Sequence, residues 1–148
     1  MADLRCILLV EDDPHDAELT MTALDANNLA NEIVAVRDGE EALDYLYCRG
    51  KFSGASNKEP AVVLLDLKLP KISGLEVLHQ MRNDERLRFI PVVILTSSRE
   101  EQDIIEGYRL GTNGYVVKPV DFHRFVDAIR RTGAFWAVIN EPPPRGMC

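Results

Sequence analysis

The sequence predicts an α/β domain in which a five-stranded parallel sheet is covered by helices on both faces. Five short runs of mostly apolar residues recur along the chain, at 6–10, 32–37, 61–66, 92–96 and 114–118. Stretches with helix-start signals separate these runs, so strand and helix alternate five times. Most of the runs are apolar at successive positions, which is typical of strands buried on both faces.

Length and composition indicate one domain. A chain of 148 residues suits a single domain with a full-sized core. We expect this domain to span residues 1–140 and a Pro-rich tail to occupy residues 141–148, because the ending NEPPPRGMC cannot continue a helix. The net charge of −7 argues against a surface that binds nucleic acid.

Targeting signals are missing from the sequence. No apolar run is long enough to span a membrane, and the N-terminus lacks the pattern of a signal peptide. We therefore expect a cytoplasmic protein. In that reducing compartment Cys6, Cys48 and Cys148 are expected to be thiols.

Each predicted element has its own signals. The run CILLV is the first strand, and Asp13 followed by Pro14 starts the first helix. Later helix starts pair a capping residue with a Glu three positions on: Asp38 with Glu41, Ser73 with Glu76, and Ser98 with Glu101. Gly50 and Gly111 mark helix ends. Asp121 opens the last helix, whose apolar face is expected to contain Phe122, Phe125, Val126 and Ile129.

Polar residues end or directly follow four of the predicted strands. They are Glu11 and Asp12, then Asp66, Thr96 and Lys118. Parallel strands end at one edge of a sheet, where open α/β sheets bind their ligands. Crowded carboxylates raise their pKa values or recruit a cation, and a set of oxygen ligands suits Mg²⁺. Taken alone, Glu11 and Asp12 are explained about equally well by helix capping and by a cation site. The presence of Asp66 and Lys118 at the same edge favours the site.

The segment LLDLKLPKISG suggests a reaction. An Asp beside a divalent cation and a lysine is suited to attack a phosphoryl group, although Asp66 alone is also a common turn residue. Thr96 can donate a hydrogen bond to a phosphoryl oxygen or be an ordinary strand residue. Lys118 precedes Pro119, and a cis bond there is one way to aim the ammonium inward. Tyr115 is either a packing residue or a switch.

Four segments in this order resemble the receiver domain of two-component response regulators: LLVEDDP, LLDLKLPKISG, VVILTSS and YVVKPVD. The resemblance covers residues 4–133 and implies a flavodoxin-like sheet in the order 2-1-3-4-5. It also implies a signalling protein, not an enzyme, that is phosphorylated on Asp66 by a sensor histidine kinase. The implied site consists of Mg²⁺ on Glu11, Asp12, Asp66 and the backbone carbonyl of Lys68, with Lys118 on the phosphoryl group and Thr96 and Tyr115 as the switch pair. Lys68 and Ser98 match positions that set phosphoryl lifetime in the family.

Two further features resemble the stand-alone regulators that serve bacterial phytochrome histidine kinases. These are the long connection at 50–60 and the C-terminal segment FWAVINEPPP, together with the expected lack of an output domain. Output by protein contact and a role as phosphate sink or relay both remain open. The apolar cluster Phe135, Trp136, Val138 and Ile139 either folds back on the core, docks the kinase, or forms a homodimer with the fourth helix, fifth strand and fifth helix.

Two rival functions fit the sequence less well. A haloacid dehalogenase-type hydrolase needs a second Asp two residues after its nucleophile, and this chain has Lys68 there. A flavin-binding domain needs a phosphate cradle, whereas acids follow the first strand here.

Overall fold

The structure, a computed structural model, describes residues 6–26, 32–54 and 59–142. Its strands are β1 (Cys6–Val10), β2 (Glu32–Val36), β3 (Pro60–Leu65), β4 (Val92–Thr96) and β5 (Gly114–Val117). Its α-helices are α1 (Pro14–Ala26), α2 (Gly39–Leu46), α3 (Gly74–Arg82), α4 (Glu101–Arg109) and α5 (Phe122–Gly133). The strands form one parallel sheet in the order β2-β1-β3-β4-β5, so the predicted fold class and strand order are confirmed.

The sheet separates two apolar clusters, and successive strand residues point into them alternately. In β1, Ile7 and Leu9 pack into the cluster that includes α1 and α5, while Leu8 and Val10 pack into the cluster on the α2 and α3 side. Every residue of β1, β3 and β4 is buried, which explains why those runs are apolar at successive positions. The edge strand β2 differs, since only Val36 is buried in it.

Side chains cap four helices as predicted. Asp13 Oδ1 accepts the backbone N–H of His15 at 2.9 Å, and the Asp38 side chain accepts that of Glu41 at 2.8 Å. Ser73 and Asp121 cap α3 and α5 in the same way. The predicted cap at Ser98 is wrong: α4 begins at Glu101 without a side-chain cap. The Ser98 hydroxyl instead donates to Asp103 Oδ2 at 2.6 Å.

Glycine ends one of the two predicted helices. Gly111 follows α4 with φ +100°, a backbone conformation that favours glycine. Gly50 does not end α2, which stops at Leu46; instead it begins a 3₁₀ turn, Gly50–Phe52.

The cysteine prediction needs a correction. Cys6 is a free and buried thiol, as expected for a residue of β1. Cys48 is disulfide-bonded, so the expectation of a thiol is wrong at this position.

The C-terminal cluster has two parts. A π-helical segment, Ala134–Ile139, continues α5, and its Ala137 and Trp136 pack into the cluster beside α1 and α5. Phe135, Val138 and Ile139 are exposed. Phe122 is also exposed, which contradicts its predicted place on the buried face of α5.

Most of the predicted tail, residues 143–148, lies outside the described part of the chain, and the domain boundary at 140 remains a prediction. None of the described helices has both the length and the apolar character needed to cross a bilayer.

Candidate functional site

Backbone hydrogen bonds fix the predicted polar residues at the C-terminal edge of the sheet. The Glu11 N–H donates to Val36 O at 3.0 Å, and the Asp66 N–H donates to Val10 O at 3.1 Å. The Lys118 N–H donates to Thr96 O at 2.7 Å. The ladder bonds thus continue one residue beyond β1, β3 and β5. They place Glu11 and Asp66 on neighbouring strands, where the strand order reverses.

The Lys118 ammonium lies at the centre of the acids. Its Nζ is 2.5 Å from Glu11 Oε1, 3.0 Å from Asp66 Oδ2 and 3.0 Å from Asp16 Oδ2. The side chains of Glu11 and Lys118 are only 2% and 7% exposed. A single buried cation therefore offsets the mutual repulsion of three carboxylates, which explains how β1 can end in a block of acids.

Asp16 is the residue of this cluster that the sequence analysis missed. It lies in the first turn of α1, and its side chain is 30% exposed. Nothing in the residue type distinguishes Asp16 from other surface acids. Its one signal is its position, three residues after the cap Asp13, on the turn of α1 nearest the strand ends.

Three carboxylates form a candidate metal centre. Ligand oxygens from Glu11, Asp12 and Asp66 all lie within 4.8 Å of one another. Glu11 and Asp66 are buried, whereas Asp12 is exposed. Such a set of oxygens, open to water on one side, fits a hard divalent cation that keeps part of its hydration shell. The ligand role of the Lys68 carbonyl remains a prediction. The Lys68 N–H donates to Asp66 Oδ1 at 3.3 Å.

Burial perturbs the charged groups of the site. It raises the pKa of Glu11 to about 7, against the hydrogen bond from Lys118, and the charge of Asp66 adds to the rise. For Lys118, burial lowers the pKa, but the hydrogen bond to Glu11 and the charges of Asp66 and Glu11 outweigh it, so the pKa is raised. The ammonium is thus held in its charged form.

The turn after β3 requires a glycine. A Cβ at Gly74 would lie 2.1 Å from the backbone oxygen of Asp66, closer than any real contact. The Gly74 N–H donates to Leu67 O at 2.9 Å, which draws the start of α3 against the strand end. The predicted turn role of Gly74 is therefore explained by close packing against Asp66.

The Lys118–Pro119 bond is trans, because no peptide bond in the described residues is cis. The suggested cis bond is therefore wrong. The lysine reaches the acids without it.

The loop after β4 connects Thr96 to Tyr115. Thr96 is fully buried, and its Oγ1 accepts the Ser98 N–H at 3.4 Å. The Tyr115 hydroxyl donates to Ser98 O at 3.0 Å. Asp103, which the sequence analysis did not select, anchors the Ser98 hydroxyl on α4. A displacement of Thr96 thus has a hydrogen-bonded route to both Tyr115 and α4.

Comparison with known proteins gives a consistent picture. The family model described as response regulator receiver domain matches residues 7–130. FilR2, a probable methanogenesis regulatory protein of Methanothrix harundinacea, is 40% identical over 137 residues, 93% of this chain and 86% of that protein. Response regulator Rcp1 of Synechocystis sp. is 35% identical over 132 residues, 89% of this chain and 88% of that protein.

Solved structures extend the comparison. The phosphorylated cyanobacterial phytochrome response regulator RcpA is 37% identical with a TM-score of 0.89, covering 96% of this chain and 100% of that chain. The Mn²⁺-bound form of Rcp1 is 34% identical with a TM-score of 0.88, covering 95% and 99%. The bacteriophytochrome response regulator RtBRR is 59% identical with a TM-score of 0.75, covering 96% and 86%.

Proposed function

The chain belongs to the response regulator receiver family, and we propose that it accepts a phosphoryl group from a sensor histidine kinase on Asp66. The observation that carries the proposal is the contact between Lys118 Nζ and Asp66 Oδ2 at 3.0 Å, beside the acids Glu11 and Asp12. In the transfer, the bond from phosphorus to the kinase imidazole nitrogen breaks, and a bond from phosphorus to an Asp66 oxygen forms. The imidazole keeps the electron pair.

Mg²⁺ is the proposed cation, held by Glu11, Asp12 and Asp66 with the backbone carbonyl of Lys68. The oxygen-only ligand set and the exposed Asp12 support a small cation that retains water. When bound, Mg²⁺ supplies positive charge to the oxygens of the transferring phosphoryl group. The Mn²⁺-bound form of Rcp1 supports a divalent site in this family.

Lys118 and Thr96 are the proposed partners of the phosphoryl group. The Lys118 ammonium already touches Asp66, and its charge offsets the negative charge that phosphorylation adds. Thr96 is the last residue of β4, the strand beside β3, and its hydroxyl is buried. This hydroxyl can donate a hydrogen bond to a phosphoryl oxygen. Phosphorylation thereby pulls on the loop that Ser98 ties to Tyr115 and α4, and we propose Thr96 and Tyr115 as the switch pair.

The proposed donor is a phytochrome-type histidine kinase. Support comes from the 59% identity to the bacteriophytochrome response regulator RtBRR and the likeness to RcpA. The likeness to FilR2, a probable methanogenesis regulatory protein, supports a donor outside phytochrome signalling as the second candidate. For such a kinase the chain would be a phosphate sink or relay. In either case the protein acts in the cytoplasm, as a signalling protein.

Phosphotransfer tests both candidates. Autophosphorylated kinases of the host, including any phytochrome, are mixed with wild type, Asp66→Asn and Asp25→Asn, the last an exposed control on α1. We expect fast transfer from the cognate kinase to wild type and the control but not to Asp66→Asn. Transfer to Asp66→Asn at the wild-type rate would defeat the proposal. Preference for a kinase without a phytochrome module would favour the sink or relay.

We propose that two copies of this chain form a homodimer. The interface would consist of the exposed part of the C-terminal cluster together with α4, β5 and α5. Phe135, Val138 and Ile139 are 47%, 55% and 69% exposed, and Ile105 and Tyr108 add apolar surface on α4. Sedimentation of wild type and Ile139→Asp over a concentration series tests this. We expect association that is lost in the variant, and identical monomers would remove the dimer proposal.

A further inference from the structure

All three donors of the Lys118 ammonium are in use. A lysine ammonium has three N–H groups and no acceptor. Nζ lies 2.5 Å from Glu11, 3.0 Å from Asp16 and 3.0 Å from Asp66. Glu11 and Asp66 belong to the group of acids that can hold a metal ion, whereas Asp16 does not. One donor is therefore directed to a carboxylate outside the candidate metal centre.

The backbone of α1 holds Asp16 in place. Its N–H donates to Asp13 Oδ1 at 3.2 Å, and its carbonyl oxygen accepts the Thr20 hydroxyl at 2.7 Å. Its side chain is 30% exposed, compared with 10% for Asp66 and 2% for Glu11. Of the three acceptors, Asp16 is thus the one that water can most readily solvate when the ammonium turns away.

Building on the proposed phosphorylation of Asp66, we infer that Asp16 is a positioning residue that competes with the phosphoryl group for the Lys118 ammonium. Phosphorylation adds negative charge and acceptor oxygens to Asp66, so the phosphoryl group needs ammonium donors. Asp16 withholds one donor and also places a further negative charge at the same edge. Both effects weaken the binding of a phosphoryl group, and releasing Asp16 to water returns the donor.

Binding of a phosphoryl mimic tests this inference on the full chain. Beryllofluoride affinity is measured by calorimetry at saturating Mg²⁺ for wild type, Asp16→Asn, Asp16→Ala and the control Asp25→Asn. Asp25 is exposed in the last turn of α1, so its variant matches the change in net charge. We expect roughly threefold to tenfold tighter binding for both Asp16 variants, since a shared charged hydrogen bond is released. Asp25→Asn should bind as wild type does.

Mg²⁺ affinity separates positioning from structural damage. Both Asp16 variants lose one negative charge. They should bind Mg²⁺ as wild type does or slightly more weakly, whereas they should bind beryllofluoride more tightly. Weaker binding of both ions, or unchanged beryllofluoride affinity, in a variant with an unchanged unfolding midpoint would overturn the role of Asp16. A different result would contradict the proposed function itself: binding of beryllofluoride to Asp66→Asn with the wild-type affinity.

Discussion

Replacing Lys118 with methionine should destabilise the fold and make it dependent on metal. Methionine keeps the unbranched apolar stem but leaves Glu11 and Asp66, whose side chains are 2% and 10% exposed, without their cation. Removing one partner of a buried ion pair typically costs about 3–5 kcal/mol. We expect about 3 kcal/mol here, because Asp16 is partly solvated and Glu11 can take up a proton.

The measurement is urea unfolding followed by circular dichroism near pH 7.5, in EDTA and in excess MgCl₂. A cation at the acids replaces the lost ammonium, so Mg²⁺ should stabilise Lys118→Met more than wild type. Saturation a hundredfold above the dissociation constant adds about 2.7 kcal/mol. Lys51→Met is the control, since Lys51 makes a 2.6 Å ion pair with Glu41 but is 63% exposed. That variant should lose less than about 1 kcal/mol and show no added response to Mg²⁺.

Unfolding of Lys118→Met at the wild-type midpoint in EDTA would contradict the proposed role of the ammonium. An equal rise of the midpoints of Lys118→Met and wild type with Mg²⁺ would contradict it as well. Either result would mean that the ammonium does not offset the repulsion between the buried acids.

Three further tests, which use five substitutions, address the site and the core. Gly74→Ala forces a Cβ to within 2.1 Å of the Asp66 oxygen, so urea unfolding should show a loss of roughly 2 kcal/mol or more and calorimetry weaker Mg²⁺ binding; wild-type values would contradict the required glycine. Ile129→Ala empties a fully buried position and should cost about 2–5 kcal/mol in the same unfolding assay. Phe122→Ala, at a side chain that is 54% exposed, should cost less than about 1 kcal/mol, and equal losses for the two variants would contradict the burial assignment. Asp12→Asn should weaken Mg²⁺ binding roughly tenfold or more, whereas Asp13→Asn, at a helix cap, should leave it nearly unchanged; equal effects would contradict the ligand assignment.

The sequence predicts the fold because its core strands are buried on both faces. Every residue of β1 and β3 is buried, and most of them pack alternately into the two apolar clusters, so the runs stand out from the surrounding polar sequence. The same property marks their ends, where Glu11 and Asp66 interrupt an apolar run. The positions of the site residues could therefore be predicted from the strands that carry them.

Contacts of residues outside the strands are harder to predict, because they depend on how each helix and loop packs against the sheet. Asp16 meets Lys118 across 102 positions of sequence. Ser98 has the spacing of a cap, but its hydroxyl is bound to Asp103 instead. Phe122 has the spacing of a core residue but lies at the first, exposed turn of α5. The disulfide at Cys48 likewise has no signal in residue spacing.

The π-helical segment after α5 matters for anyone who engineers this chain. Ala137 is 4% exposed and Trp136 packs against the same apolar cluster, so these two residues of Ala134–Ile139 form part of the packed interior. Truncating the chain after Gly133, or fusing a reporter there, would remove these two side chains from the apolar cluster beside α1 and α5 and leave a cavity in it. A fusion joint should lie beyond Asn140, the residue that follows this segment.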